Sequence, residues 1–552
     1  MPKVKVVDTL YSLSINRITS ILISSYISVN VERSIQHTTD SDIKSANNPF
    51  HSIPTTLLEA IISSISINTT TTKPFHIEFL ITAELTKLIF PRSYCFKNEL
   101  YLNIFPKLEK LRVLVLENSI ADNTSLQLIG KWCKNLRILN LHECSRLSDI
   151  GIEWLVQNSS PELRKNLQLL VITQSDITKK GAKMAIQHFP AIRILDLHEC
   201  SRLSDIGIEW LLEYSSPELR KNLQLLVITQ SDITKKGAKM AIQHFPAIRC
   251  VMHKHCFDVL IEVAQAAELL AQHQHPSHIT STYSLTRIVI YISSTYRSGD
   301  IELVIKYFPS LSDIAFIVKM GLTDTDLSCL TNLKNLQILK FYTDPNSDED
   351  EISITFDRGL APVFKVIGST ITVLELDHFE FVDIWTIVKF CPNLIALNFE
   401  NQCQNLSALS ENEIIQLRNE KGRGIFKDLK FLGCGFNISK DILFDLLSCP
   451  SLESVQLTHC DALTEEFLKE AISYDLFNKN LKCLKLNSCE FVTKEVLDEL
   501  AMSDNNLDEI SIYFCDKVTK DHVKDWHTFA RHQNWKLYLS FEDDDTELIS
   551  YY

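Results

Sequence analysis

Leu136-Arg-Ile-Leu139-Asn-Leu141-His142-Glu143-Cys144-Ser-Arg-Leu147-Ser148-Asp149-Ile150-Gly151 is the stretch on which the fold turns. Successive side chains of a strand point to opposite faces, so Leu139 and Leu141 point to a core while Asn140 and His142 face outward. Cys144 follows where the chain leaves the strand, a place that takes a small side chain beneath the turn. Ser148, just before Asp149, has the character of a helix N-cap. Strand, turn and helix together need roughly 20–30 residues.

The same spacing returns at Leu167, ending on Ser175, and at Ile192, ending on Cys200. Residues 138–193 and 194–249 are two copies of one 56-residue block that differ only at Asn140/Asp196, Val156/Leu212, Gln157/Glu213 and Asn158/Tyr214. Along the chain the frame starts at Leu85, Leu111, Leu136, Leu167, Ile192, Leu223, Ile248, Leu285, Leu311, Leu336, Ile371, Leu394, Leu429, Leu452, Leu481 and Leu507, at intervals of 23 to 37 residues. This is the leucine-rich-repeat pattern, in which each unit contacts its neighbours and an inserted copy is tolerated. The expected class is an α/β solenoid with a parallel concave β-sheet and convex helices. The expected division is a small helical module over 1–80, repeats over 81–520 and a C-terminal cap with an acidic tail over 521–552.

Composition narrows the function. The 552 residues carry 69 acidic against 55 Lys and Arg side chains, a formal charge of −14, which disfavours nucleic acid and anionic lipid as partners. No run approaches the 18 apolar residues of a membrane span, and Met1 to Asp8 leads into a segment that contains Ser, Asn and Arg. A soluble, non-secreted, cytoplasmic or also nuclear protein is expected. The 13 glycines form neither G-x-x-x-x-G-K nor G-x-G-x-x-G, which argues against nucleotide chemistry.

Of 15 cysteines, Cys144, Cys200, Cys256, Cys460, Cys489 and Cys515 fall on the last frame position and read as structural thiols. The long interval from Ile248 to Leu285 crowds His253, His255, Cys256, His273, His275 and His278, with His253 at an inward position. Without a C-x-x-C pair anywhere, this reads as a strained repeat with a polar loop rather than a zinc site, and no metal or cofactor is expected. No Ser/His/Asp or paired-carboxylate spacing stands out, so no enzyme is expected. The acidic runs at 344–351 and 542–547 read as solvated loops, the second following a final strand at Trp535–Phe541.

The outward frame positions include His142, Glu143, Thr173, Gln174, Asp196, His198, Glu199, Thr229, Gln230, Tyr291, Tyr342, Tyr513 and Phe514. Polar groups with interspersed aromatics suit protein recognition. His142-Glu143 and His198-Glu199 lie two strands apart, about 10 Å, too far to share a metal ion.

Cys144-Ser-Arg-Leu147-Ser148-Asp149, Cys460-Asp-Ala-Leu463-Thr464-Glu465 and Cys515-Asp-Lys-Val518-Thr519-Lys520 resemble the cysteine-containing leucine-rich repeats of F-box and related ubiquitin-ligase receptors. The resemblance covers about residues 85 to 520 and implies a ribonuclease-inhibitor-like horseshoe. Ahead of the repeats, Thr9-Leu10-x-x-x-Ser14-x-x-x-Ile18 is similar to the elongin-binding box, with Ser14 where that box has Cys. Ile53-Pro54-x-x-Leu57-x-x-x-Ile61 looks like the cullin-recognition box that follows it in von Hippel–Lindau-box proteins, and also like the opening of an F-box. These resemblances imply a non-catalytic substrate receptor of a cullin-RING ligase, which docks elongin B/C, or alternatively the F-box adaptor, and holds a target protein on the concave face. The competing expectation is a repeat scaffold unrelated to ubiquitin, with residues 1–80 as an end cap.

Overall fold

The computed structural model describes residues 53–552 apart from 69–79, 91–97, 201, 274–282, 292–295, 319–320, 344–353, 378, 380, 400–401, 404–406, 423, 437, 475, 477–479, 503–505, 533–536, 544–545 and 552. The chain divides into two compact units, one over Leu10–Leu285 and the other within Thr286–Tyr552. In the first, β1 (Lys87–Ile89), β2 (Val113–Val115), β3 (Ile138–Asn140), β4 (Leu169–Val171), β5 (Ile194–Asp196), β6 (Leu225–Val227) and β7 (Cys250–Met252) form one parallel sheet in chain order. In the second, β8 (Arg287–Tyr291), β9 (Asp313–Val318), β10 (Ile338–Thr343) and β11 (Val373–Leu376) continue in the same manner. A small side pair of β12 (Phe381–Val382) and β14 (Gln402–Cys403) flanks the run of β13 (Ala396–Phe399), β15 (Phe431–Cys434), β16 (Ser454–Thr458), β17 (Cys483–Asn487) and β18 (Glu509–Tyr513). Every one of the sixteen frame starts is followed two residues later by the first residue of a strand. Both units are therefore leucine-rich-repeat solenoids.

The alternation holds in detail. Leu136, Leu139 and Leu141 have no accessible surface, whereas Ile138 and Asn140 are half-buried on the opposite face. The last frame position is occupied by a thiol because a thiol can still donate there: Cys144 Sγ reaches the carbonyl of Leu116 at 3.1 Å, and Cys200 Sγ that of Ile172 at 3.1 Å. Among the described residues, the one just before it takes a left-handed backbone in eight repeats, as at Glu143 (φ 57°), Glu199 (φ 56°) and Phe514 (φ 50°). This conformation is uncommon outside glycine. It is offset by continued pairing, since Glu199 N donates to Thr229 O at 3.0 Å and Phe514 N to Glu542 O at 2.8 Å.

Ser148 and Ser204 stand at the N-cap positions of their helices, but their side chains make no capping bond, and the Leu-Ser-Asp element acts instead through its aspartate. Asp149 opens the helix Asp149–Asn158, and its carboxylate accepts from Thr178 N at 2.8 Å, from Gly181 N at 3.0 Å and from the Thr178 hydroxyl, all in the next repeat. Asp205 repeats this with Thr234 N at 2.8 Å and Gly237 N at 3.2 Å. Gly181 is required by close approach, because a Cβ there would lie 2.5 Å from Asp149 Oδ1. The 31-residue intervals from Leu136 to Leu167 and from Ile192 to Leu223 accommodate an extra short helix each, Pro161–Asn166 and Pro217–Asn222. Each starts with proline at its first position and a serine cap, Ser160 or Ser216, whose Oγ accepts from Leu163 N or Leu219 N.

Two expectations change. The acidic run at 542–547 is not a free loop: Glu542 and Asp543 belong to β19 (Tyr538–Asp543), which pairs parallel with β18, and the chain returns through antiparallel β20 (Thr546–Tyr551). Backbone pairing across a tight hairpin outweighs the repulsion among these carboxylates. After His253, Cys256 opens an 18-residue helix, Cys256–His273, where a polar loop was expected. Its buried Val259, Leu260, Val263 and Ala264 recur on one side and supply the apolar face that the histidines obscure. The run at 344–351 lies outside the described residues.

Candidate functional site

On the sheet of the first unit, His142 and His198 occupy equivalent stations. Asn140 Oδ1 accepts from His142 N at 2.9 Å, and Asp196 Oδ1 from His198 N at 3.0 Å. His142 Nδ1 bonds Thr173 Oγ1, and its Nε2 lies 3.3 Å from Glu143. His198 repeats both contacts, at 2.6 Å to Thr229 Oγ1 and 3.1 Å to Glu199. Thr173, expected outward, is 1% exposed, because the His142 ring lies against its hydroxyl. Each station is a ring fixed between a hydroxyl and a carboxylate.

A row that the sequence reading passed over runs beside these stations. Val113, Ile138, Leu169, Ile194 and Leu225 are half-buried at the first outward position of β2 to β6, and Cys250, which is buried, ends the row in β7. At the N-terminal edge of the same strands, Arg112, Arg137, Arg193 and Arg249 are exposed. At the C-terminal edge stand Glu117, Glu143 and Glu199, none fully buried. The apolar row was available from the sequence: the alternation that sends Leu139 inward sends Ile138 outward.

The second unit presents a different face. Arg287 lies 3.2 Å from Asp313, whose carboxyl burial pushes up, and Lys340 lies 2.6 Å from Glu375. The Tyr342 hydroxyl donates to Glu375, and its pKa is driven upward by burial and by that carboxylate. Tyr513 Oη is 3.0 Å from Ser540 Oγ, and Phe514 is 40% exposed. Tyr291 closes β8. Tyr342 and Tyr513 belong to strands six positions apart in the sheet, about 29 Å, so they do not form one site.

Of the N-terminal residues, Thr9, Leu10, Ser14 and Ile18 lie outside the described residues. Ile53 and Leu57 are half-buried and Pro54 is exposed, at the start of the helix Thr55–Asn68, while Ile61 has no accessible surface. Glu59 ties this helix to the first repeat by accepting from Thr86 N at 2.7 Å and Lys87 N at 2.9 Å.

His253 is 4% exposed, and both ring nitrogens are engaged: Nε2 donates to Ile233 O at 2.9 Å and Nδ1 accepts from His255 N at 3.2 Å. The ring is thereby held neutral with no lone pair to offer a metal. His275 and His278 lie outside the described residues. Burial holds the His253 pKa below the ordinary imidazole value. A lowered folded pKa contributes stability above the unfolded value, near 6.5, that is lost as pH falls through the folded pKa. Urea titrations between pH 8 and 5 should therefore show wild type losing stability more steeply than His253→Gln, by up to about 1.4 kcal/mol per pH unit between the unfolded and the folded pKa. Equal slopes would mean that the ring titrates freely.

Burial raises most of the thiols, Cys200 and Cys460 to about 12, so they are protonated at neutral pH. Cys489 departs from this, lowered by a hydrogen bond from the Cys515 thiol, which is itself raised. No protein-family model matches the chain. A chain in a structure titled "Crystal structure of Rad7 and Elc1 complex in yeast" is similar at 15% identity and a TM-score of 0.39, over 94% of this chain and 96% of that one.

Proposed function

We propose that the chain is a non-catalytic protein-recognition subunit, which holds a target protein on its sheet faces and docks through its N-terminal segment to the adaptor of a cullin-RING ubiquitin ligase. The observation that carries recognition is the first sheet face, a half-exposed apolar row between charged edges on a backbone whose every strand is paired. Preorganised apolar surface of this kind favours macromolecular contact over small-molecule chemistry. Adaptor docking is supported by the two box-like motifs, of which Pro54 and Leu57 keep accessible surface. Elongin B/C is the proposed adaptor, and the F-box adaptor is the alternative.

Purified protein is expected to capture elongin B/C in a pull-down, and the Leu10→Ala/Pro54→Ala pair to lose about tenfold or more of that capture. Capture of the F-box adaptor instead would keep ubiquitin and change the class. Capture of neither favours a second reading, a scaffold unrelated to ubiquitin, which the burial of Ile61 and the Glu59 tie to the first repeat independently favour.

A further inference from the structure

The first sheet face has a polarity that specifies more than "a protein". Its apolar row, from Val113 to Cys250, crosses six strands, about 24 Å at the usual strand spacing. One edge carries Arg112, Arg137, Arg193 and Arg249, all exposed, and the opposite edge carries Glu117, Glu143 and Glu199. The two polar residues nearest the row, Asn140 and Asp196, are turned toward the glutamate edge, where each accepts from a histidine N–H, at 2.9 and 3.0 Å.

An extended peptide laid across the strands would bring its own N–H and C=O groups onto the apolar row with no partners, a costly arrangement. A helix satisfies its backbone internally, and with a diameter of about 10 Å and a rise of about 1.5 Å per residue, about 16 residues cover the row. We propose that this face takes an amphipathic helix of about 16 residues, its apolar stripe on the row from Val113 to Cys250, an acidic flank against the arginines and a basic flank against the glutamates. This rests on the recognition reading above and names the partner's chemistry. The charge difference between the flanks fixes the helix direction, because a helix laid the other way would place like charges together along both edges.

The duplication sharpens the fit. It doubles the His-Glu station and places Asp196 where the first copy has Asn140, so the glutamate edge is more acidic in the second copy. The basic flank of the helix is therefore held most strongly over β5.

The test uses full-length protein and three labelled 16-residue helical peptides with one leucine stripe in common. One carries Glu along one flank and Lys along the other, one carries Glu on both, and one carries Lys on both. By fluorescence polarisation the mixed peptide should bind about tenfold tighter than either of the others. Arg137→Glu/Arg193→Glu, at exposed positions that leave the core intact, should reverse the preference toward the all-Lys peptide. Ile138→Lys/Ile194→Lys should abolish binding to all three, with circular dichroism melting to verify the fold. Equal binding of the three peptides, or no change on arginine reversal, overturns the proposal. So does a concentration-dependent dimer in sedimentation that the isoleucine pair dissociates, since the row would then be covered by a second copy. Adaptor capture is a separate readout: if it holds while the peptides fail, the receptor reading stands and only the helix chemistry falls.

Discussion

Asp149→Ala is expected to lower stability by about 3 kcal/mol, seen as a lower urea midpoint and as faster amide exchange at Thr178 and Gly181. The carboxylate accepts three hydrogen bonds from the following repeat, two of them from backbone N–H groups, at 2.8 and 3.0 Å. Alanine leaves those donors without an acceptor, and a bond to a charged acceptor is worth about 1.5–3 kcal/mol. Asp149→Asn should recover most of the loss, because one repeat earlier Asn123 Oδ1 accepts from Ser148 N at 3.0 Å in the same role. If asparagine proved as damaging as alanine, the stabilisation would lie in the charge and not in the acceptor. The Asp149→Ala/Asp205→Ala pair should be close to additive, since the two contacts lie two repeats apart and share no partner.

Gly424→Ala should cost about 3–4 kcal/mol in the second unit, with no effect on the first. Two penalties combine there. The backbone has φ 83°, and an added Cβ would lie 2.7 Å from both the Cα of Cys449 and the carbonyl oxygen of Ser448. These are backbone atoms of the next repeat, which cannot swing aside as a flexible side chain would. Gly299→Ala separates the two terms: its φ is 94° and nothing lies within 4 Å of the added carbon, so only the backbone preference, about 1 kcal/mol, should be lost. Equal costs at the two positions would show that crowding against Cys449 contributes nothing.

The strands were legible from the sequence because their signal is redundant. Leu139 and Leu141 each need a core, and the same need recurs in every frame, so sixteen weak signals reinforce one another. The exit from each strand was not legible. Gln174, Glu199 and Phe514 give no local hint of a left-handed backbone, which is imposed by the pairing of their N–H groups with the next repeat. Helix after Cys256 was hidden by the histidines before and after it, although Val259, Leu260 and Val263 already carry a helical period. On the sheet faces, His142 and His198 drew attention as polar residues at outward positions, while Ile138 and Ile194 beside them were passed over. An isoleucine in so short a frame has the same character whether it faces the core or a partner, and only the pairing register separates the two cases.

The near-identity of residues 138–193 and 194–249 bears on how such a surface changes size. β3 meets β4 in the same register as β5 meets β6, and Asp149 holds its neighbour as Asp205 does. A block whose two ends match can be copied or excised without any new joint, because the residues that receive it are those that already receive its twin. Length along the sheet is then a quantity that recombination adjusts in whole steps of two strands, about 10 Å each. The reach of the binding row could thus lengthen in a single event, with Asp196 in place of Asn140 the one departure on that face.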